Sequence, residues 1–191
     1  MQIMNEESTT QNRPQNILKL VIVAALIIAA GVLRIAPHPY NLAPIGAMAL
    51  FAGAMIRTRW IAIMLPLAAL FAGDVFIGFH KLMLVVYASF AVSVAIGRWL
   101  ATDRSVVKRG GAVLLGSLQF FLLTNLAVWA LLGAYPKTTS GLAACYIAGI
   151  PYFWNTLAGD AVYSTVLFGG YALAERWFAL RVQDDTIHAG Y

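Results

Sequence analysis

The sequence predicts an all-α polytopic membrane protein: six transmembrane helices, both termini on the cytoplasmic side, and a short half-helix in the last outer loop. Three observations carry this. The chain of 191 residues is 61% hydrophobic, only 11% charged, and has mean hydropathy +0.76; a soluble domain would carry roughly a quarter charged residues. Its apolar residues fall into runs of membrane-spanning length. Its basic residues sort to one side of those runs. Length suits one domain. The single cysteine, Cys145, excludes an internal disulfide. The basic balance fits the positive-inside rule better than nucleic acid, because the Lys and Arg residues lie between apolar runs.

Residues 1–16 read as a polar, disordered cytoplasmic N-terminus, 17–180 as the six-helix membrane domain, and 181–191 as a cytoplasmic tail. A span needs about 20 apolar residues. Five runs approach that length: 17–33, 60–79, 82–100, 111–132 and 153–179. The first resembles a signal-peptide core, but without a clean small-x-small cleavage site it reads as an uncleaved helix. A sixth, shorter run, 42–56, carries Pro44 in its first turn, where proline is tolerated. The piece 141–151 is too short to span and reads as a half-helix or re-entrant segment closed by Pro151. With the N-terminus cytoplasmic, the inner segments hold ten basic residues (Arg13, Lys19, Arg57, Arg59, Arg98, Arg104, Lys108, Arg109, Arg176, Arg181), and the outer loops hold three (Arg34, Lys81, Lys137). The bias sets the orientation and places the chain in a bacterial cytoplasmic membrane, surrounded by lipid.

Two carboxylates lie inside apolar runs. Asp74, in "LFAGDVF", falls roughly 8 Å below the outer end of its helix, at about 1.5 Å per residue. Asp160, in "TLAGDAVY", falls in the outer half of the last helix. Intramembrane ionisable residues tend to mark ligand or ion pathways. The alternative is structural: Asp74 bonded to His80 or Lys81, Asp160 to Tyr163 or a backbone amide. Gly73 and Gly159 would let a neighbouring backbone approach beside each carboxylate. Asn41 and Asn155, each shortly after Pro-Tyr, read as N-caps whose helix ends point outward. His38, His80, Lys81 and Tyr87 fall at the same level, as do the interfacial aromatics Tyr152, Phe153 and Trp154. Asn125 lies nearer the outer side and is placed to line a cavity, whereas Gln119 sits near mid-membrane and is placed to bond a neighbouring helix. Ala25 and Ala29, four apart on the first helix, permit close helix contact.

The segments "APHPYNLAPIGAMALFAGA", "GD…GFHKLM…VYASF" and "PYFWNTLAGDAVYSTVLFG" resemble a family of bacterial membrane proteins described as transport proteins. That family is similar to the substrate-binding S components of energy-coupling factor (ECF) vitamin transporters. The resemblance covers about residues 30–175. It implies a six-helix protein that captures a scarce nutrient, vitamin or metal from outside, using the loops after helices 1 and 3 and helices 4–6. The matching positions are His38, Tyr40 and Asn41; His80; Tyr87; Asn125; and Asn155, Asp160 and Tyr163. The resemblance also implies a transmembrane coupling subunit, with its ATPases, docking at Ala25 and Ala29. A cobalamin-binding relative uses a cysteine as cobalt ligand; Cys145 lies in the last outer loop, and that role does not transfer.

The leading expectation is therefore a non-enzymatic substrate-capture protein. In it Asp74 and Asp160 meet in one outward-opening pocket and receive a cationic or hydrogen-bonding part of a small nutrient. A second reading binds a metal or metal-containing cofactor through His38, His80, Asp74 and Asp160. A third, an intramembrane aspartyl protease, needs two aspartates sharing a water, but the first position of the expected Gly-x-Gly-Asp is Phe71 in one copy and Leu157 in the other. A purely structural or assembly protein fits helix 1 but leaves the polar cluster without a purpose. No cofactor is named by the sequence.

Overall fold

The computed structural model describes the backbone of residues 3–33, 41–101 and 105–188, and the side chains among them from 17 to 178. It is all-α, with six helices: α1 (Ile3–Leu33), α2 (Ile45–Met55), α3 (Arg59–Ile77), α4 (Met83–Trp99), α5 (Val106–Leu131) and α6 (Thr139–His188). The helical backbone of α1 begins well ahead of residue 17, where the apolar run starts, and that of α6 runs past residue 180. Two helices, α3 and α5, are long and apolar enough to cross a membrane. Ile17–Leu33, α2 and α4 are shorter apolar helices.

The arrangement is an axle in a ring. Helix α2 contacts all five others, and these close around it in the order α1, α3, α4, α5, α6 and back to α1. The axle sequence "IGAMALFAGAM" has no polar side chain, and Ile45 together with the whole stretch from Ala47 to Gly53 is buried. At about 1.5 Å per residue it is about 16 Å long, half of the roughly 30 Å hydrocarbon thickness. The expected span at 42–56 is thus a core helix, which is what an apolar stretch of this length is best suited to be. Phe51 anchors it against α6, edge-on to Phe168 with ring centroids 5.1 Å apart.

Glycine sets the distance between α2 and α4. A Cβ on Gly53 would sit 2.1 Å from the Val94 carbonyl oxygen, and one on Gly97 would sit 2.1 Å from the Leu50 carbonyl oxygen. The two backbones touch through reciprocal glycines, as small residues allow at membrane helix contacts.

The last outer loop differs from expectation. Residues 141–151 do not form a separate half-helix; they open α6, which continues through Pro151. A proline inside a helix removes one amide donor and frees one carbonyl, and neighbouring groups in a bundle can absorb both. Pro151 ends nothing, and Tyr152, Phe153 and Trp154 are helical.

The connections sort to two ends. Residues 41–44, 78–82 and 132–138 lie at one, the cleft end. Residues 56–58, 100–101 and 105 lie at the other, the basic end, with Arg57, Arg59, Arg98, Lys108 and Arg109 nearby. Lys19 near the start of the apolar part of α1 pairs with Glu175 of α6 at 3.5 Å, so the first and last parts of the bundle lie side by side.

Candidate functional site

The site is built on the first turn of α2. A helix N-terminus leaves amides without partners and carries partial positive charge. Here the N-cap is Pro44, whose side chain cannot supply the missing acceptor. Asp160, from α6, supplies it: the Ala47 N–H donates to Asp160 Oδ1 at 3.0 Å. The Ser117 hydroxyl of α5 donates to Oδ2 at 2.7 Å. The carboxyl group reaches this place because Gly46 has no side chain; a Cβ there would lie 2.3 Å from Asp160 Oδ1. Asp160 is only 2% exposed. Asn41 and Asn155 do not cap. Asn41 lies outside the helix in a left-handed conformation, φ 63°, which asparagine tolerates, and Asn155 lies within α6. The cap comes from a residue 113 positions away.

The other end of α2 is met by the opposite charge. Arg98 donates to the Ile56 carbonyl at 3.4 Å and to the Arg57 carbonyl at 3.1 Å. A carboxylate at the N-terminus and a guanidinium at the C-terminus both oppose the helix dipole.

Asp160 forms one wall of a small chamber of about 70 Å³, shared with Asn41, Phe90, Ser93, Phe120 and Thr156. Beyond it lies a larger cleft of about 470 Å³. The two share Asn41 and Phe120 as wall residues. Helical register explains how they line up. On α6 Ala148 and Tyr152 in the cleft and Thr156 and Asp160 in the chamber recur every four residues, with Cys145 and Gly149 beside them in the cleft wall. On α5, which runs the other way, they are Val128 and Thr124 in the cleft, Phe120 in both, and Gly116 in the chamber. On α4 Val86 lines the cleft and Phe90 the chamber. Residues four apart share a helix face, so one groove between α4, α5 and α6 runs from the cleft end down to the axle.

The mouth of this groove is polar. It includes the exposed His80, together with Asn125, Tyr135 and Tyr152. Asn125 donates to the Phe121 carbonyl at 2.8 Å, and its carboxamide lies over Gly149, where a Cβ would meet the Asn125 oxygen at 2.4 Å. The Cys145 thiol donates to the Asn125 carbonyl at 3.4 Å. Lower down, Gln119 bonds α5 to α4: its Nε2 donates to the Ser89 carbonyl at 3.0 Å and to Ser93 Oγ at 2.9 Å. This is the interhelical role expected of Gln119.

Asp74 is elsewhere. It is fully buried on α3 and accepts a hydrogen bond from the Tyr87 hydroxyl at 2.6 Å. Helices α3 and α6 do not touch, and the axle lies between them. The expectation that Asp74 and Asp160 share a pocket is therefore corrected. Among the described residues Tyr87 donates to Asp74, and Ala47 and Ser117 donate to Asp160. Neither His80 nor Lys81 but Tyr87, across the α3–α4 contact, serves Asp74. That engagement also takes Tyr87 out of the groove.

Of the other expected site residues, Asn41, His80 and Asn125 come together at the groove with Asp160. Asn155 and Tyr163 are half-buried but line neither cavity. His38 and Tyr40 lie outside the described residues. Ala25 and Ala29 are exposed on α1, on the side away from Val23, Ile27 and Ala30, which face the core. Gly159 does admit a backbone, with Leu42 Cα 3.3 Å from the place of its Cβ. Among the described residues no three of His, Cys, Asp and Glu gather as metal ligands. Sequence reasoning missed Thr124, Thr156, Ser93 and Ser117. The signal was present: Thr156 is four residues before Asp160, and Gly116, Phe120 and Thr124 are four apart on α5.

Residues 14–182 match a family model described as a family of unknown function (DUF6580). Comparison with curated proteins gives no match. Comparison with solved structures gives none either.

Proposed function

The chain belongs to this family of unknown function (DUF6580), and from its geometry we propose a membrane protein that captures a small nutrient from the outer side of a bacterial cytoplasmic membrane. The observation that carries the reading is the continuous wall from the polar mouth, past Thr124 and Thr156, to the buried Asp160. A cleft of about 470 Å³ is within the range that holds small organic ligands. The chamber behind it offers a carboxylate, two hydroxyl-bearing side chains and two aromatic rings. Phe90 and Phe120 stack there with centroids 5.2 Å apart. This set suits a ligand whose tip is an ammonium or hydroxyl group and whose body stays in the cleft.

The membrane setting is supported by the surface. Trp60, Phe76, Leu84 and Val107 are each at least 75% exposed, and an apolar surface this extensive calls for an apolar cover. The grouping of basic residues at the end opposite the cleft supports an outward-facing mouth with both termini inside. Capture alone moves nothing across the membrane. Uptake then requires a coupling partner, for which the exposed Ala25–Ala29 face of α1 is the docking place implied by the S-component resemblance.

Native mass spectrometry of the gently purified chain tests this. A small molecule travelling with the wild type and lost from Thr124→Leu, which fills the groove, is the expected result. A wild type that emerges empty and gains no ligand from a bacterial metabolite extract overturns it.

A further inference from the structure

We propose that the groove between α5 and α6 near the basic end is a binding site for an anionic glycerophospholipid, with Arg109 holding its phosphate. The site rests on the membrane reading above but not on the capture of a nutrient. It is distinct from the groove described there, whose walls it does not share.

The groove has a volume of about 440 Å³. Its floor and sides are mostly apolar, including Val113, Leu157 and Phe168, and it stays open because the helices carry glycine there: a Cβ on Gly110 or Gly169 would meet nothing within 4 Å. Three polar side chains interrupt the apolar lining: Arg109, Ser164 and Thr165, whose hydroxyl donates to the Ala161 carbonyl at 2.8 Å. Arg109 lies over the Phe168 ring, 4.9 Å from its centroid, and among the described residues it pairs with no carboxylate. Ser164 is 6% exposed, and its hydroxyl oxygen, at the groove wall, has no hydrogen-bond partner.

A buried hydroxyl left without a partner costs free energy, and an unpaired guanidinium beside an aromatic face is a ready phosphate clamp. The apolar length of the groove selects the kind of anion. Free phosphate would leave those walls uncovered, whereas a phospholipid lays an acyl chain along them. Val106 and Val107, both more than 80% exposed, extend the same apolar surface outward. Under the proposed topology the site faces the cytoplasmic leaflet, where anionic lipids and juxtamembrane basic residues attract.

The test uses the full chain in detergent, with phosphatidylglycerol, phosphatidylcholine or inorganic phosphate added, and reads retained adducts by native mass spectrometry. One phosphatidylglycerol is expected to stay bound at activation energies that strip phosphatidylcholine. Arg109→Gln is expected to weaken its retention about tenfold or more, the scale of one charge-assisted hydrogen bond. Gly110→Leu, whose Cβ would meet nothing within 4 Å and whose longer side chain would enter the groove, is expected to abolish it. Equal retention of both lipids, retention unchanged in Gly110→Leu, or binding of inorganic phosphate in place of lipid overturns the proposal. Carbonate extraction of cell membranes separates the two readings: a chain released by carbonate sinks the membrane setting itself, whereas a resistant chain with variant-independent lipid sinks only the site.

Discussion

At the residue scale, Asp160 does two jobs with one carboxyl group. It caps a helix from a different part of the chain, and it presents the same group to a chamber. The capping job predicts a graded response. Asp160→Ala leaves the Ala47 amide and the Ser117 hydroxyl without their acceptor and is expected to cost about 2–3 kcal/mol, the range for hydrogen bonds to a charged group. Asp160→Asn keeps an oxygen for Ala47 and is expected to cost less. Gly46→Ala drives a methyl into the carboxyl group and is expected to cost at least as much as ordinary overpacking, about 1–3 kcal/mol. Denaturation in mixed detergent micelles, followed by circular dichroism, gives the order. An Asp160→Ala variant as stable as wild type would remove the cap from the account. The carboxylates were legible in the sequence as expensive residues in apolar runs, and a backbone amide was one partner expected for Asp160, but which amide, and Tyr87 as the partner of Asp74, were not legible. The Tyr87 hydroxyl reaches Asp74 across one helix pair, and the Ala47 amide reaches Asp160 across the whole fold; no local pattern encodes either.

At the element scale, the axle explains the glycines and the charges at its ends. Helix α2 is too short and too apolar to stand alone in water, and its dipole is buried at both ends. Asp160 and Arg98 answer that dipole, and Gly53 with Gly97 lets α4 approach closely enough for Arg98 to reach the last carbonyls. Gly97→Leu is therefore expected to break the bundle, while Gly111→Leu, where a Cβ meets nothing within 4 Å, is expected to be tolerated. Yield of monodisperse protein on size exclusion distinguishes them; equal yields would contradict the close α2–α4 contact. Hydrophobic runs marked all six helices in the sequence, but run length could not say which was axle and which was ring. The break expected at Pro151 failed because proline removes a single amide and frees a single carbonyl, a loss that a helix packed in a bundle absorbs.

At the scale of the whole molecule, the groove follows from register. Three helices each contribute a face with a four-residue step, and the steps descend from the polar mouth to the axle. Four residues expected from the sequence, Asn41, His80, Asn125 and Asp160, line this groove, all of them polar residues conspicuous among apolar neighbours. Sequence reasoning missed Thr124 and Thr156, because threonine in an apolar helix also satisfies itself by bonding the carbonyl four residues back, as both do here. It also grouped Asp74 with Asp160 by their common depth in the outer half of the membrane, a likeness of level that the ring separates in space.

The claim that a groove opens outward and descends along α6 is tested most directly by scanning single cysteines through 148–161 in a Cys145→Ser background. Each is challenged in intact cells, stripped of their outer membrane, with a membrane-impermeant thiol reagent. The account predicts that positions 148, 152 and 156 react from outside while Ile150→Cys and Ala161→Cys, which lie off that face, do not. Reaction confined to the cytoplasmic side, or the absence of any four-residue rhythm, would contradict it.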